Sequence, residues 1–176
     1  MKRWIVVAWV LLFIAVSSVG WAEIQMGQIP PSVELKEKLG GRLDGTPWSS
    51  DEMKGKVHVL FYVDPDKKDL NNDASEALAA EKFPRDKFQS IAVINMAATW
   101  LPNFAISSSL EEKQKKYPNT LYVRDYDKVL VREWNIADDN SDVLVFDKEG
   151  RLVFRKDGKL NADDIQELLT KVKENM

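Results

Sequence analysis

The side chains most able to do chemistry in this chain fall into two acidic groups: Asp64, Asp66 and Asp69 in one segment, and Asp138, Asp139 and Asp142 in another. Brought together, six carboxylates would offer hard oxygen ligands to a divalent cation, or a local field attractive to a cationic peptide or polyamine. Two of them about 4 to 6 Å apart with raised pKa values would instead suit carboxylate-based catalysis. The same residues also have a structural use. Asp64 before Pro65 is a natural helix cap with proline at the first helical position, and Asp66 and Asp69 favour the positive end of a helix. Lys67 and Lys68 dilute the charge, and the spacing departs from a calcium loop. Lys68 takes the fifth position counted from Asp64, and Asp69 stands where the loop requires glycine. The sequence therefore assigns no metal to the cluster.

Other reactive residue types are scarce. The chain contains no cysteine, so thiol exchange, which needs a thiolate, is closed to it. His58 is the only histidine, and between Val57 and Val59 it reads as a packed strand residue rather than a catalyst. No zinc spacing, no Ser-His-Asp set, no Gly-x-Gly-x-x-Gly and no Walker pattern occurs, and no cofactor is expected. Trp100, Leu101, Pro102, Phe104 and Ile106 form an apolar loop after a strand end. Such a loop either covers the core or presents Trp100 and Phe104 as anchors for a partner, and their exposure separates the two.

The elements that must position these residues read as alternating strands and helices. Val57 to Val63 is apolar enough for a central strand covered on both faces, and the Leu70, Ala74, Ala77, Leu78 stripe predicts a helix that closes before Pro84. Gln89 to Asn95 is a second buried strand, giving a right-handed strand-helix-strand unit. Ser108 to Glu111 reads as a capping box opening a charged helix that runs to Tyr117 before Pro118. Thr120 to Arg124 is a short strand and Lys128 to Trp134 a short helix. Asp142 to Phe146 and Arg151 to Phe154 form a hairpin. Asn161 with Asp164 caps a final helix whose stripe is Ile165, Leu168, Leu169 and Val172. The turn-rich segment from Glu23 to Trp48 offers only Val33 to Leu35 as strand.

At the N-terminus, Lys2 and Arg3 precede thirteen apolar residues, Trp4 to Val16, and small residues follow at Gly20 and Ala22. This run is short for a membrane span of about 20 residues and reads as a signal peptide, residues 1–22, cleaved after Ala22. The expected product is one periplasmic domain, residues 23–176, with no stable membrane anchor after cleavage. It keeps 23 basic against 28 acidic side chains, and this acidic balance argues against nucleic acid as a partner.

Strand, helix, strand, hairpin and closing helix is the order of a thioredoxin-like domain. Gly27-x-x-x-Pro31, Gly55-Lys-Val57, Ser108-Ser-Leu-Glu111 with Lys115-Lys-Tyr-Pro118, and Val143-Leu-Val-Phe-Asp147-Lys-Glu-Gly150 followed by Lys156-Asp-Gly158 carry a nearly full-length likeness. On these residues the chain resembles the YtfJ family of periplasmic thioredoxin-like proteins. The resemblance implies an α/β fold with a mixed central sheet flanked by helices, and carries over no catalytic residue. It also implies that Asp66 and Asp69 stand where redox relatives carry Cys-x-x-Cys, and Ser141 where they carry a cis-proline. The loops 64–69 and 138–142 are then neighbours. A cis bond before Ser141 would cost about 2.5 to 4 kcal/mol, so a trans bond is expected.

The function expected from these readings is a non-redox binding module for an unidentified periplasmic protein or peptide. Its candidate contact residues are Asp64, Asp66, Asp69, Asp138, Asp139, Asp142, Trp100 and Phe104. One rival is a carboxylate- or cation-dependent enzyme using the aspartates. The other is an accessory that binds a cysteine-containing redox or folding partner without exchanging electrons itself.

Overall fold

The computed structural model describes residues 24–176, so the expected signal peptide lies outside the described residues. In chain order the strands and helices are β1 (Glu34–Leu35), β2 (Gly40–Arg42), β3 (Trp48–Ser49), β4 (Val57–Val63), α1 (Asn72–Ala80), β5 (Phe88–Asn95), α2 (Asn103–Lys116), β6 (Thr120–Asp125), α3 (Val129–Trp134), β7 (Ser141–Phe146), β8 (Leu152–Asp157) and α4 (Ala162–Asn175). Six strands form one mixed sheet in the order β2-β6-β5-β4-β7-β8, and β1 pairs with β3 apart from it. β4, β5 and β6 are parallel, whereas β7 and β8 return antiparallel as a hairpin. The expected pairing of the two apolar strands holds, with Val57 opposite Phe88 and Val63 opposite Ile94.

Strand alternation sorts β4 into two faces. Leu60 and Tyr62 join Val93, Leu144 and Phe146 in a core closed by α3 and by Val33, Leu35, Trp48 and Met53 of the N-terminal segment. Val57, Val59 and Phe61 face the other way, where the cover is split. α1 and α4 pack there over β4, β7 and β8, with Ala74, Leu78, Leu168 and Val172 buried, and α2 buries Ile106 and Leu110 separately against Ala92, Ile94 and Tyr122. α4 is held at its start by the expected box, in which the Asp164 amide donates to Asn161 Oδ1 and the Asn161 amide to Asp164 Oδ2, each at 2.9 Å. Each of its fully buried aliphatic side chains contributes about 1.5 to 3 kcal/mol, enough to dock it.

Four expectations need correction. Asp64 and Pro65 do not open the first α-helix. They start a single 3-10 turn, Pro65–Lys67, and α1 begins only at Asn72, after Asn71, whose backbone is non-helical (φ −116°, ψ 31°) and whose side chain bonds in the interior instead of capping the helix. α2 starts at Asn103 rather than after Ser108. The Pro102 carbonyl accepts from the Ala105 amide at 3.0 Å, and burial of Ile106 and Leu110 on one face favours the extra turn over the small helix cost of three serines. Phe104 and Ile106 are therefore helical, and Ile106 belongs to the core. β8 extends to Asp157, three residues past the expected end. Lastly, Gly40 and Gly41 are strand and not turn, pairing with Asp125 and Arg124 at the sheet edge. At Gly40 (φ 137°) a Cβ would lie 1.9 Å from the Arg124 carbonyl oxygen, so only glycine allows this approach.

Candidate functional site

The parallel strands β4, β5 and β6 end at one edge of the molecule, beside the start of β7, which is where open sheets of this kind form crevices. The Asp64 amide donates to the Asn140 carbonyl at 2.9 Å, so loops 64–69 and 138–142 do lie against each other. Ser141 opens β7 opposite Val63, and among the described residues no peptide bond is cis.

The six aspartates meet at this edge but do not act as one group. Asp64 is 3% exposed, and its Oδ1 accepts from the Asp66 amide at 2.8 Å. Burial, followed by the charges of Asp66 and Asp139, pushes its carboxyl upward against that hydrogen bond. Asp138 is bound to Lys128 Nζ at 2.6 Å and to Asn95 Nδ2 at 3.0 Å. Partial burial opposes its ionisation, but the Lys128 ammonium and the Asp139 amide outweigh this and hold the carboxyl below its usual range. Asp142 is 0% exposed on the opposite sheet face from Ser141, with Oδ2 accepting from the Ala137 amide at 2.8 Å. Burial and then the charge of Asp157 push it to about 7. Asp66, Asp69 and Asp139 remain at the surface. Among the described residues no three acidic or histidine side chains converge as a metal site. The two carboxyls pushed upward, Asp64 and Asp142, are both shut away from solvent.

Beside the acidic loop the surface is aromatic. Trp100 is 87% and Phe104 77% exposed, with Leu101 between them at the solvent boundary. Thr99 Oγ1 donates to Asp66 Oδ1 at 3.2 Å and accepts the Leu101 amide at 3.2 Å, which ties this lip to the Asp64–Asp69 loop. Proximity follows from topology: the lip joins β5 to α2, and the acidic loop joins β4 to α1.

Three residues unremarked in the sequence hold this edge in place. Asn71, buried, donates through Nδ2 to the carbonyls of Ser141 and Gly158 at 3.0 Å each, and its Oδ1 accepts the Leu160 amide at 2.9 Å. One amide thus joins the start of β7, the end of β8 and the entry to α4. Asn71→Ala is expected to lower the unfolding free energy by about 3 kcal/mol, because buried backbone groups lose their partner; a urea midpoint at unchanged slope reads it out. Asp125 ties the end of β6 to α3, and Asn95, 1% exposed, reaches Asp138. The sequence signal for Asn71 and Asn95 was faint: a polar amide at the end of an apolar run.

The pattern of a family described as "Bacterial protein of unknown function (YtfJ_HI0045)" matches residues 27–175. The chain belongs to this family. Among YtfJ_HI0045 relatives, the uncharacterized protein YtfJ of Escherichia coli (strain K12) is 31% identical over 126 residues, covering 69% of this chain and 68% of the relative. An uncharacterized protein of Haemophilus influenzae is 30% identical over 166 residues, covering 89% of this chain and 90% of its own. Solved structures with this fold include a peroxiredoxin-like protein from Aquifex aeolicus (TM-score 0.61, 16% identity, 88% of this chain and 90% of that one). The thioredoxin domain of a thiol-disulfide oxidoreductase from Bacteroides vulgatus gives 0.60 at 18% identity, over 85% and 98% of the two chains. An exposed lipoprotein thioredoxin, Etrx1, from Streptococcus pneumoniae gives 0.54 at 20% identity, over 80% and 98%. At these identities the likeness concerns the fold: this YtfJ_HI0045 member has a thioredoxin-like architecture and no cysteine.

Proposed function

We propose that this YtfJ-family protein is a periplasmic, non-redox binding module that engages a protein or peptide partner through the lip formed by Trp100 and Phe104. The observation that carries the reading is the exposure of two large aromatic side chains on a lip tethered, through Thr99 and Asp66, to the loop between β4 and α1. Exposed tryptophan and phenylalanine cost solubility and supply large contact area with few rotatable bonds, the profile of an interface anchor. Asp66 is bonded to the lip through Thr99, and with the exposed Asp69 and Asp139 of the two neighbouring loops it would orient a partner carrying basic residues. A periplasmic address is supported by the Lys2-Arg3 pair and the apolar run after it.

The test is cross-linking in intact cells followed by mass spectrometry, with wild type beside Trp100→Ala/Phe104→Ala. Both side chains are exposed, so the double variant should melt within about 2 °C of wild type. Loss of the two anchors is expected to reduce the cross-linked species by at least about tenfold. Equal recovery of the same species from the double variant would remove the lip as the docking site.

A further inference from the structure

The gap between the two helical covers forms a groove of about 1040 Å³ over the β4-β5-β6 face, walled by α1 on one side and α2 on the other. Its floor is apolar and recessed: Phe61, Ala92, Ile94 and Tyr122 line it yet expose only 6–8% of their surface. The three floor strands each have a hydrogen-bonded neighbour on both sides. A peptide lying there could not pair its backbone with them and would hold unsatisfied N–H and C=O groups over hydrocarbon. A polymethylene chain has no such groups.

The two ends of the slot differ in charge. Where β4, β5 and β6 begin, its walls carry Lys56, Lys82, Arg85, Lys113 and Lys116. Among the described residues none of these five forms an ion pair; Lys56 Nζ donates to the Arg85 carbonyl and Lys116 lies over the Tyr117 ring. Asp69 stands at the far end with Lys68, and Glu76 lies midway along α1. This concentration of positive charge contrasts with the chain's net charge of −3. From this geometry we infer that the groove binds a free, single-chain, long-chain carboxylate. The head lies among the lysines at the start of the strands, and the tail runs along the floor toward Leu101. The eight residues of β5 run about 25 Å, room for an extended chain of about sixteen carbons.

This inference does not rest on the aromatic lip, and Trp100→Ala/Phe104→Ala is expected to leave it unchanged within about twofold. The test is displacement of a fluorescent fatty-acid probe from the purified protein by saturated carboxylates of roughly ten to sixteen carbons, below their micelle concentrations. Affinity should rise about tenfold for each two methylenes added, and the matched primary alcohol should bind at least about tenfold more weakly than the acid. Ala79→Trp and Ser109→Trp fill the slot from its exposed walls without touching the floor, and each should weaken the longest acid at least about tenfold. Lys113→Glu with Lys116→Glu should weaken the acid and leave the alcohol unchanged. Affinity that ignores chain length, no displacement at all, full binding in both tryptophan variants, or stronger displacement by an acidic peptide would overturn the assignment. Thermal melts of the variants verify folding, and the wild-type chain-length series decides the matter if any variant fails to fold.

Discussion

Replacing Asp125 with alanine is expected to lower the unfolding free energy by about 4 kcal/mol, about a quarter or more of what a folded domain has to lose. Asp125 is wholly buried at the end of β6, and its two oxygens accept four donors. Oδ1 takes the amides of Asp127 at 3.1 Å and Val129 at 3.0 Å, and Oδ2 takes the Leu130 amide and the Tyr62 hydroxyl at 3.1 Å each. Alanine removes every one of these acceptors. The Val129 and Leu130 amides are the first donors of α3 and have no partner within the helix, so the side chain of Asp125 acts as their cap from outside. Each orphaned buried donor costs about 1 to 3 kcal/mol, and partial relaxation keeps the total below the sum. Tyr62→Phe is the informative control. It removes one of the four donors and leaves the three amides paired, so it should cost only about 1 kcal/mol. Urea unfolding of the two variants reads both effects. A loss below about 1.5 kcal/mol for Asp125→Ala would mean that solvent reaches the α3 amides.

This buried carboxylate also shows where sequence reading stops. The parallel core of β4 and β5 was legible because long apolar runs bounded by charged links leave few alternatives, and the Asn161–Asp164 box was legible because both of its partners lie within three residues. Asp125 caps amides two to five residues ahead of it, but its bond to Tyr62 spans 63 positions, and nothing near it in the chain announces that contact. Asn71 is the same case, with partners 70 to 89 residues distant. Local signals misled in one direction: Ser108 with Glu111 satisfies the rule for a helix cap, yet burial of Ile106 and Leu110 sets the cap at Pro102, six residues earlier. Gly40 and Gly41 look in sequence like part of a turn, since a strand that needs the absence of a Cβ uses the same residue type as a turn. Of the candidate site, the sequence placed the two acidic loops and the aromatic residues in the right neighbourhood. It could not show that Asp142 faces the interior, because sheet register decides that.

The burial of Asp142 leads to the second large effect, a stability that depends on pH in a way a single substitution reveals. Its folded carboxyl titrates at about 7 against an ordinary 3.8, raised by burial and then by the charge of Asp157. The folded protein therefore binds more protons than the unfolded chain across that interval, and stability contributed by the protonated form is lost as pH rises from about 4 through 7. His58 works in the opposite sense. Burial lowers it from 6.5 to about 4, so the unfolded chain binds the extra proton between those values and stability rises with pH there. From about pH 4 to 6.5 the two slopes nearly cancel, and above 6.5 only the loss from Asp142 remains. Asp142→Asn removes one slope and exposes the other. Near pH 4 the carboxyl is neutral and asparagine differs from it only in hydrogen bonding, whereas near pH 8 wild type holds a buried charge that the variant lacks. The stability of Asp142→Asn relative to wild type is thus expected to improve by about 4 kcal/mol from pH 4 to pH 8, whatever its absolute value at either end. Urea unfolding of both proteins across that range measures the difference directly, and a difference that does not move with pH would show that Asp142 reaches solvent in the folded protein. Because its Oδ2 accepts the Ala137 amide, ionisation at this carboxyl bears on the loop that carries Asp138 and Asp139 to the candidate site.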